Sequence, residues 1–187
     1  MNIQQGCRGC EISKGNKKNV LGKKIIELDD YWILNHYGGD DTFLGRMALQ
    51  TRCHRMDIGD LSEEETNRLG GNIQRIDSAL REYWSEHFIP DRIERVYVIY
   101  FLEGEFDIPN RSPYHFHIHL IPRTRKFDSL LRRMRKNDSD ILAWNIYQIN
   151  THVSFPDEYK VIGCDEGEQK AKNLMHYLNA CLGKSHS

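Results

Sequence analysis

The sequence predicts an α+β protein, an antiparallel sheet packed by one long helix, with a helical extension at its carboxy terminus. Between Ser62 and Pro90, residues Leu69, Ile73, Ile76, Leu80, Tyr83, Trp84 and Phe88 recur at three- and four-residue intervals, which gives a helix one continuous apolar face. Short runs rich in branched and aromatic residues stand on both sides of that helix, as strands do. The stretch Glu166–Leu182 places Ala171, Leu174, Met175, Leu178 and Leu182 on one helical stripe and stops at Gly183.

The elements follow in order. Ile25–Leu28 and Tyr31–His36 read as a hairpin turning at Asp29-Asp30, and Arg46–Thr51 as a further strand that ends at Cys53-His54. Ser62 with Glu65 three residues on is a capping box that starts the long helix, and Pro90 ends it. Arg95–Leu102 is the next strand, returning through a polar loop to a strand at about Tyr114–Pro122. Beyond it, Asp128 can cap a short helix to Lys136, and Ala143–Ile149 and His152–Phe155 read as strand or irregular chain. With no linker or repeat in sight, residues 1–187 are expected to form a single domain, a core of about 5–123 with an extension of about 124–187.

Composition narrows the function. Lysine and arginine number 26 against 27 acidic residues, so a whole-surface affinity for nucleic acid is not expected. Lys14, Lys17, Lys18, Lys23 and Lys24 form one basic stretch, and Arg123, Arg125, Lys126, Arg132, Arg133, Arg135 and Lys136 a second; runs of this kind are ordinarily solvated faces. No apolar stretch approaches the ~20 residues that span a bilayer, so no membrane partner is expected. The amino terminus lacks the basic start and apolar core of a signal peptide, and the 5 cysteines are an odd number, so a cytoplasmic protein without a disulfide framework is expected.

The chemistry concentrates in Tyr114–Arg123. On a strand His115, His117 and His119 share one face while Phe116, Ile118 and Leu120 cover the other. A lone histidine there would ordinarily be a satisfied structural residue; three in register suggest a nucleophile, a general acid or base, or a metal site built from the strand itself. At the amino terminus Cys7-Arg8-Gly9-Cys10 is half of a tetrahedral zinc site. Redox use of that pair lacks the strand-then-helix context, and an unliganded terminal tail is the plain alternative.

The segment His115-Phe116-His117-Ile118-His119-Leu120-Ile121, followed by Pro122-Arg123, resembles the signature of the histidine triad (HIT) superfamily of nucleotide hydrolases and transferases. Upstream, GRMALQTRCHRMDIGDLSEEE, from Gly45 to Glu65, is similar to that family's strand, its Arg-x-His end and the Leu-Ser-x-Glu-Glu start of its long helix. The resemblance spans roughly residues 5–123. It implies a HIT-like sheet and a structural zinc on Cys7, Cys10, His54 and His115, with Cys53 the competitor of His54. It further implies that His117 attacks the α-phosphorus of a nucleotide conjugate to form a covalent nucleotidyl-imidazole, with His119 beside it to bind a phosphate oxygen or serve the leaving group.

By the same resemblance the loop Glu103–Pro113 supplies phosphate contacts, Ser112 foremost and Asn110 and Arg111 behind it. Ser112 is equally a common turn residue. Asn35, with His36 next to it, falls near the family's ribose-binding position, where no acid stands here, and a homodimer pairing two sheets is a further expectation. The loop departs from the family pattern, since Glu103, Glu105 and Asp107 would repel a polyphosphate that they faced. The competing function is a nucleotide-binding or scaffolding protein that keeps the fold and its zinc without turnover.

Overall fold

The structure, a computed structural model, describes residues 2–18, 20–38, 43–100, 113–126, 129 and 165–184. Helix α1 (Arg8–Ser13) precedes strands β1 (Val20–Glu27), β2 (Trp32–Tyr37) and β3 (Met47–Thr51). A short 3-10 turn (Ile58–Asp60) then leads into helix α2 (Glu63–His87), strand β4 (Ile93–Ile99), strand β5 (His117–Thr124) and helix α3 (Asp165–Leu182). The segments Asp128–Lys136 (apart from Ser129), Ala143–Ile149 and His152–Phe155 lie outside the described residues.

The strands form one sheet in the order β1-β2-β3-β5-β4, with every neighbouring pair antiparallel. The α+β expectation is borne out, while strand boundaries shift, β4 for example starting at Ile93 rather than Arg95. Strand β1 starts earlier than Ile25 because a bulge between Leu21 and Ile25 interrupts its alternation; Gly22 and Lys23 both take positive φ there, +72° and 49°. Helix α3 packs tightly on Gly22, since a Cβ on it would stand 3.0 Å from the Ala171 carbonyl oxygen. Strand β5 starts at His117 rather than Tyr114, because the Phe116 N–H leaves the ladder and donates to the Arg55 carbonyl at 2.7 Å.

Helix α2 begins as its capping box dictates. The Ser62 hydroxyl accepts from the Glu65 N–H at 3.2 Å, and the Glu65 carboxylate accepts from the Ser62 N–H at 2.7 Å. That carboxylate also pairs with Arg55 Nε at 2.8 Å, so the cap ties the helix to the segment that follows β3.

The two faces of the sheet have different tasks. Ile26, Trp32, Leu34, Met47, Leu49, Phe116, Ile118 and Leu120 face Ile76, Leu80, Tyr83 and Trp84 of α2 and Leu174, Met175, Leu178 and Leu182 of α3, all buried in one core. Truncating a leucine such as Leu80 in that core would cost about 2–5 kcal/mol. The carboxy-terminal helix therefore completes the core that α2 begins. Among the described residues no helix is long and apolar enough to cross a membrane.

The opposite face carries His117 and His119. Register places Gln50 beside His117 and Ala48 beside His119, with Asn35 beside Ala48 and Ile33 beside Gln50 on the next strand. Helix α1 lies over part of this face, where Ile12 packs with Val20, Ile25 and Ile33.

Candidate functional site

Cys7 caps α1 and Cys10 sits one turn in, so a single helical turn brings both sulfurs to one side. His54 arrives from the end of β3 and His115 from the residues before β5, and the four ligand atoms lie within 4.8 Å of one another. Cys7 Sγ is 3.4 Å from His115 Nδ1, while Cys10 Sγ is 3.5 Å from both His54 Nδ1 and His115 Nδ1. Ligand bonds of about 2.3 Å for sulfur and about 2.0 Å for nitrogen at tetrahedral angles give a sulfur-to-nitrogen edge of about 3.5 Å. The donor set fits a tetrahedral ion in kind and in spacing.

Burial adjusts the chemistry of these ligands. It pushes the Cys7 thiol up to about 11, so without an ion this sulfur keeps its proton. It pushes the His115 imidazole down to about 4, which keeps that ring neutral, and it also lowers His54. His115 Nε2–H donates to the Thr51 carbonyl at 2.9 Å, which fixes the tautomer and turns the Nδ1 lone pair toward the sulfurs. Gly9 permits the approach, since a Cβ there would fall 2.3 Å from Cγ of His115. Cys53 is half-buried beside His54 and is not one of the four, so the competition between these neighbours falls to His54. Among the described residues the ligand atoms that converge are these, and the triad histidines form no metal group of their own.

The remaining two histidines stand beside each other on β5. His117 Nδ1 is 2.8 Å from the His115 carbonyl oxygen, and its Nε2 is 3.2 Å from His119 Nε2. A carbonyl can only accept, so Nδ1 carries a proton, and in its neutral form the ring presents its lone pair at Nε2. Burial first, and then the neighbouring His117 and Arg46, hold His119 well below the usual histidine range. Neutral His119 then donates its Nε2–H to His117, and the outcome is one reactive nitrogen with a hydrogen-bond donor next to it.

Sequence reasoning passed over two other residues of this face. Arg46 is 1% exposed, and its guanidinium lies 4.0 Å over the Tyr37 ring, whose centroid is 5.3 Å from that of His119. Gln50 is 4% exposed and bonds to Gly9 and Ser13 of α1. The available signal was a polar residue at an alternate position of an otherwise apolar strand, on the same face as the histidines. Asn35 lies on that face as well, its amide donating to the Ala48 carbonyl at 3.4 Å and to Gln50 Oε1 at 3.3 Å. His36 is buried on the other face, where it accepts from the Gly45 N–H at 2.8 Å. Ser112, Asn110 and Arg111, the acidic Glu103, Glu105 and Asp107, and the basic Arg132 to Lys136 lie outside the described residues.

No protein-family model matches the chain, and no curated protein does. Solved structures are similar to it. One from Streptococcus mutans is 16% identical, with 80% of this chain and 83% of that one covered and a TM-score of 0.50. A uridylyltransferase is 15% identical at a TM-score of 0.50; it covers 94% of this chain, which spans 46% of that one. A HIT family protein from Bacillus anthracis is 19% identical over 78% of this chain and 93% of that one, with a TM-score of 0.48. The likeness is one of fold: this chain has a HIT-like fold, with His117 and His119 on β5, an interior strand of the sheet flanked by β3 and β4.

Proposed function

We propose that the protein is a nucleotide hydrolase or nucleotidyltransferase that cleaves a nucleotide conjugate at its α-phosphate through a covalent His117 intermediate. The observation that carries this reading is the orientation of His117, with Nδ1 held on the His115 carbonyl at 2.8 Å and Nε2 turned to His119 at 3.2 Å. Nε2 forms a bond to phosphorus as the bond to the leaving group breaks, and the His115 carbonyl offsets the positive charge that the ring gains. Water or another acceptor then takes the nucleotidyl group and returns neutral His117. His119 hydrogen-bonds a phosphoryl oxygen or the leaving group. Ser112, Asn110, Arg111 and Asn35 belong to the same proposal as contacts to phosphate and sugar, as does a homodimer.

Cys7, Cys10, His54 and His115 would hold a zinc ion. With four protein ligands the site is closed and leaves no position for water, so the ion's part is structural. It pins α1 against the sheet.

Purified protein screened against nucleoside phosphoramidates, dinucleoside polyphosphates and nucleotidyl sugars tests the reading. The expected result is turnover of at least one class by the parent and none by His117→Ala, with zinc content and folding retained. A parent that binds nucleotides and turns over none of them would contradict it in favour of a nucleotide-binding scaffold.

A further inference from the structure

Gln50 stands where the metal-ligand cluster and the reacting histidines meet. Its Cα is the ladder partner of His117, so the two side chains are neighbours on one face of the sheet. Its carboxamide is buried and used at both ends. Nε2 donates to the Gly9 carbonyl at 2.9 Å and to Ser13 Oγ at 3.2 Å, and Oε1 accepts from Asn35 Nδ2 at 3.3 Å. A buried amide is costly unless its atoms are paired, and an aliphatic side chain would serve for packing against the apolar residues of this face.

The carbonyl that Gln50 holds lies between the two cysteines, on the stretch of backbone that packs against the His115 ring. His115 in turn accepts from His117. The contacts close a circuit from Gln50 to Gly9, Gly9 to His115, His115 to His117, and His117 back to its ladder neighbour Gln50. We propose that Gln50 is a positioning residue whose carboxamide clamps α1 on the sheet, so that a divalent metal bound at Cys7, Cys10, His54 and His115 sets the orientation of the His117 ring. The inference rests on the reading of His117 as nucleophile. Gln50→Leu removes all three hydrogen bonds at similar volume, and Gln50→Glu sets a carboxylate oxygen against the Gly9 carbonyl.

The test compares the parent with both variants in a competition for zinc against a chromophoric chelator, and in nitrogen-15 spectra of the His117 ring before and after zinc is added. The expected results are a zinc affinity about 10- to 100-fold lower, the range for residues that orient metal ligands, and a zinc-induced change at His117 that shrinks in both variants. Where the parent turns over substrate, kcat should fall with KM nearly constant. Should Gln50→Leu fail to fold, Ser13→Ala removes one of the three bonds and should shift both readouts in the same direction by less. Folded variants with the parent's zinc affinity and the parent's response at His117 would overturn the proposal, whatever their melting temperatures. Absence of turnover in the parent would count against the proposed reaction alone, since the zinc and spectral readouts decide the part of Gln50.

Discussion

The Nδ1 atom of His117 lies 2.8 Å from the backbone carbonyl oxygen of His115, the residue whose ring stands 3.4 Å from Cys7 Sγ. His115 therefore belongs to both halves of the site, its ring to the cysteine cluster and its carbonyl to the proposed nucleophile. Disturbing the cluster should reach the nucleophile through a single residue.

Protein purified without added metal should contain one zinc per chain, because two thiolates and two neutral imidazoles complete a tetrahedral structural site. Replacing Cys7 and Cys10 together by serine should lower both metal content and melting temperature. Elemental analysis finding no zinc in the parent, with a double variant that melts like it, would contradict the assignment.

Gly9→Ala is a sharper probe than its size suggests. The added Cβ would fall 2.3 Å from Cγ of His115, a distance that real contacts do not reach, so the helix or the ring must move. Zinc affinity should drop at least about tenfold, as it does when the support of a metal ligand is lost. Equal affinities in a chelator competition would show that α1 shifts without disturbing the ligands.

His36 should shape the stability profile in mild acid. Burial pushes its imidazole down to about 4 from 6.5, and the charge of Arg46 acts in the same direction. Between those values the unfolded chain binds a proton that the folded chain does not. Stability therefore rises with pH from about 4 to 6.5, and this contribution is complete above 6.5. At about 1.4 kcal/mol per pH unit, about 3 kcal/mol is lost by pH 4. His36→Gln, which keeps an acceptor for the Gly45 N–H, should flatten that slope when metal-free parent and variant are unfolded in urea across this range. Parallel profiles for the two proteins would contradict the assignment.

Glu65 joins the start of α2 to the segment that supports the triad strand. Its carboxylate is 2% exposed and accepts from both the Ser62 N–H and Arg55 Nε, while the Arg55 carbonyl accepts from the Phe116 N–H. Arg55 is itself 24% exposed, so water takes up part of the charge that Glu65→Ala leaves behind. The loss should be about 2–4 kcal/mol, the sum of a helix cap and a partly buried ion pair. Denaturant titration checks it, and a change under about 0.5 kcal/mol, the size of an ordinary surface substitution, would contradict it.

What was legible in the sequence was local or periodic. Helix α2 was written in the Ser62–Glu65 box and the apolar repeat behind it, the β1–β2 hairpin in Asp29-Asp30 between branched runs, and α3 in the stripe ending at Leu182. Cys7 and Cys10 announced a half-site by their spacing, and the resemblance supplied His54 and His115, which the structure brings to the same place. Less legible were features set by contacts distant along the chain. Gln50 reads as one polar residue in a strand until Gly9, 41 positions away, is seen to accept from it. Arg46 reads as an ordinary strand-edge cation until its guanidinium is found over Tyr37. The six residues of α1 are too few to carry a helical period, and their conformation follows from docking on the sheet.

The central claim is that His117 Nε2 takes the nucleotidyl group. Rapid quenching of the protein with a turned-over nucleotide conjugate, then digestion and mass spectrometry, tests it most directly. The account predicts a nucleotidyl adduct on the peptide that contains His117, absent from His117→Ala, and retained in His119→Ala with turnover slowed by about 10²–10⁴-fold. Full turnover in His117→Ala, or an adduct on any other residue, would contradict it.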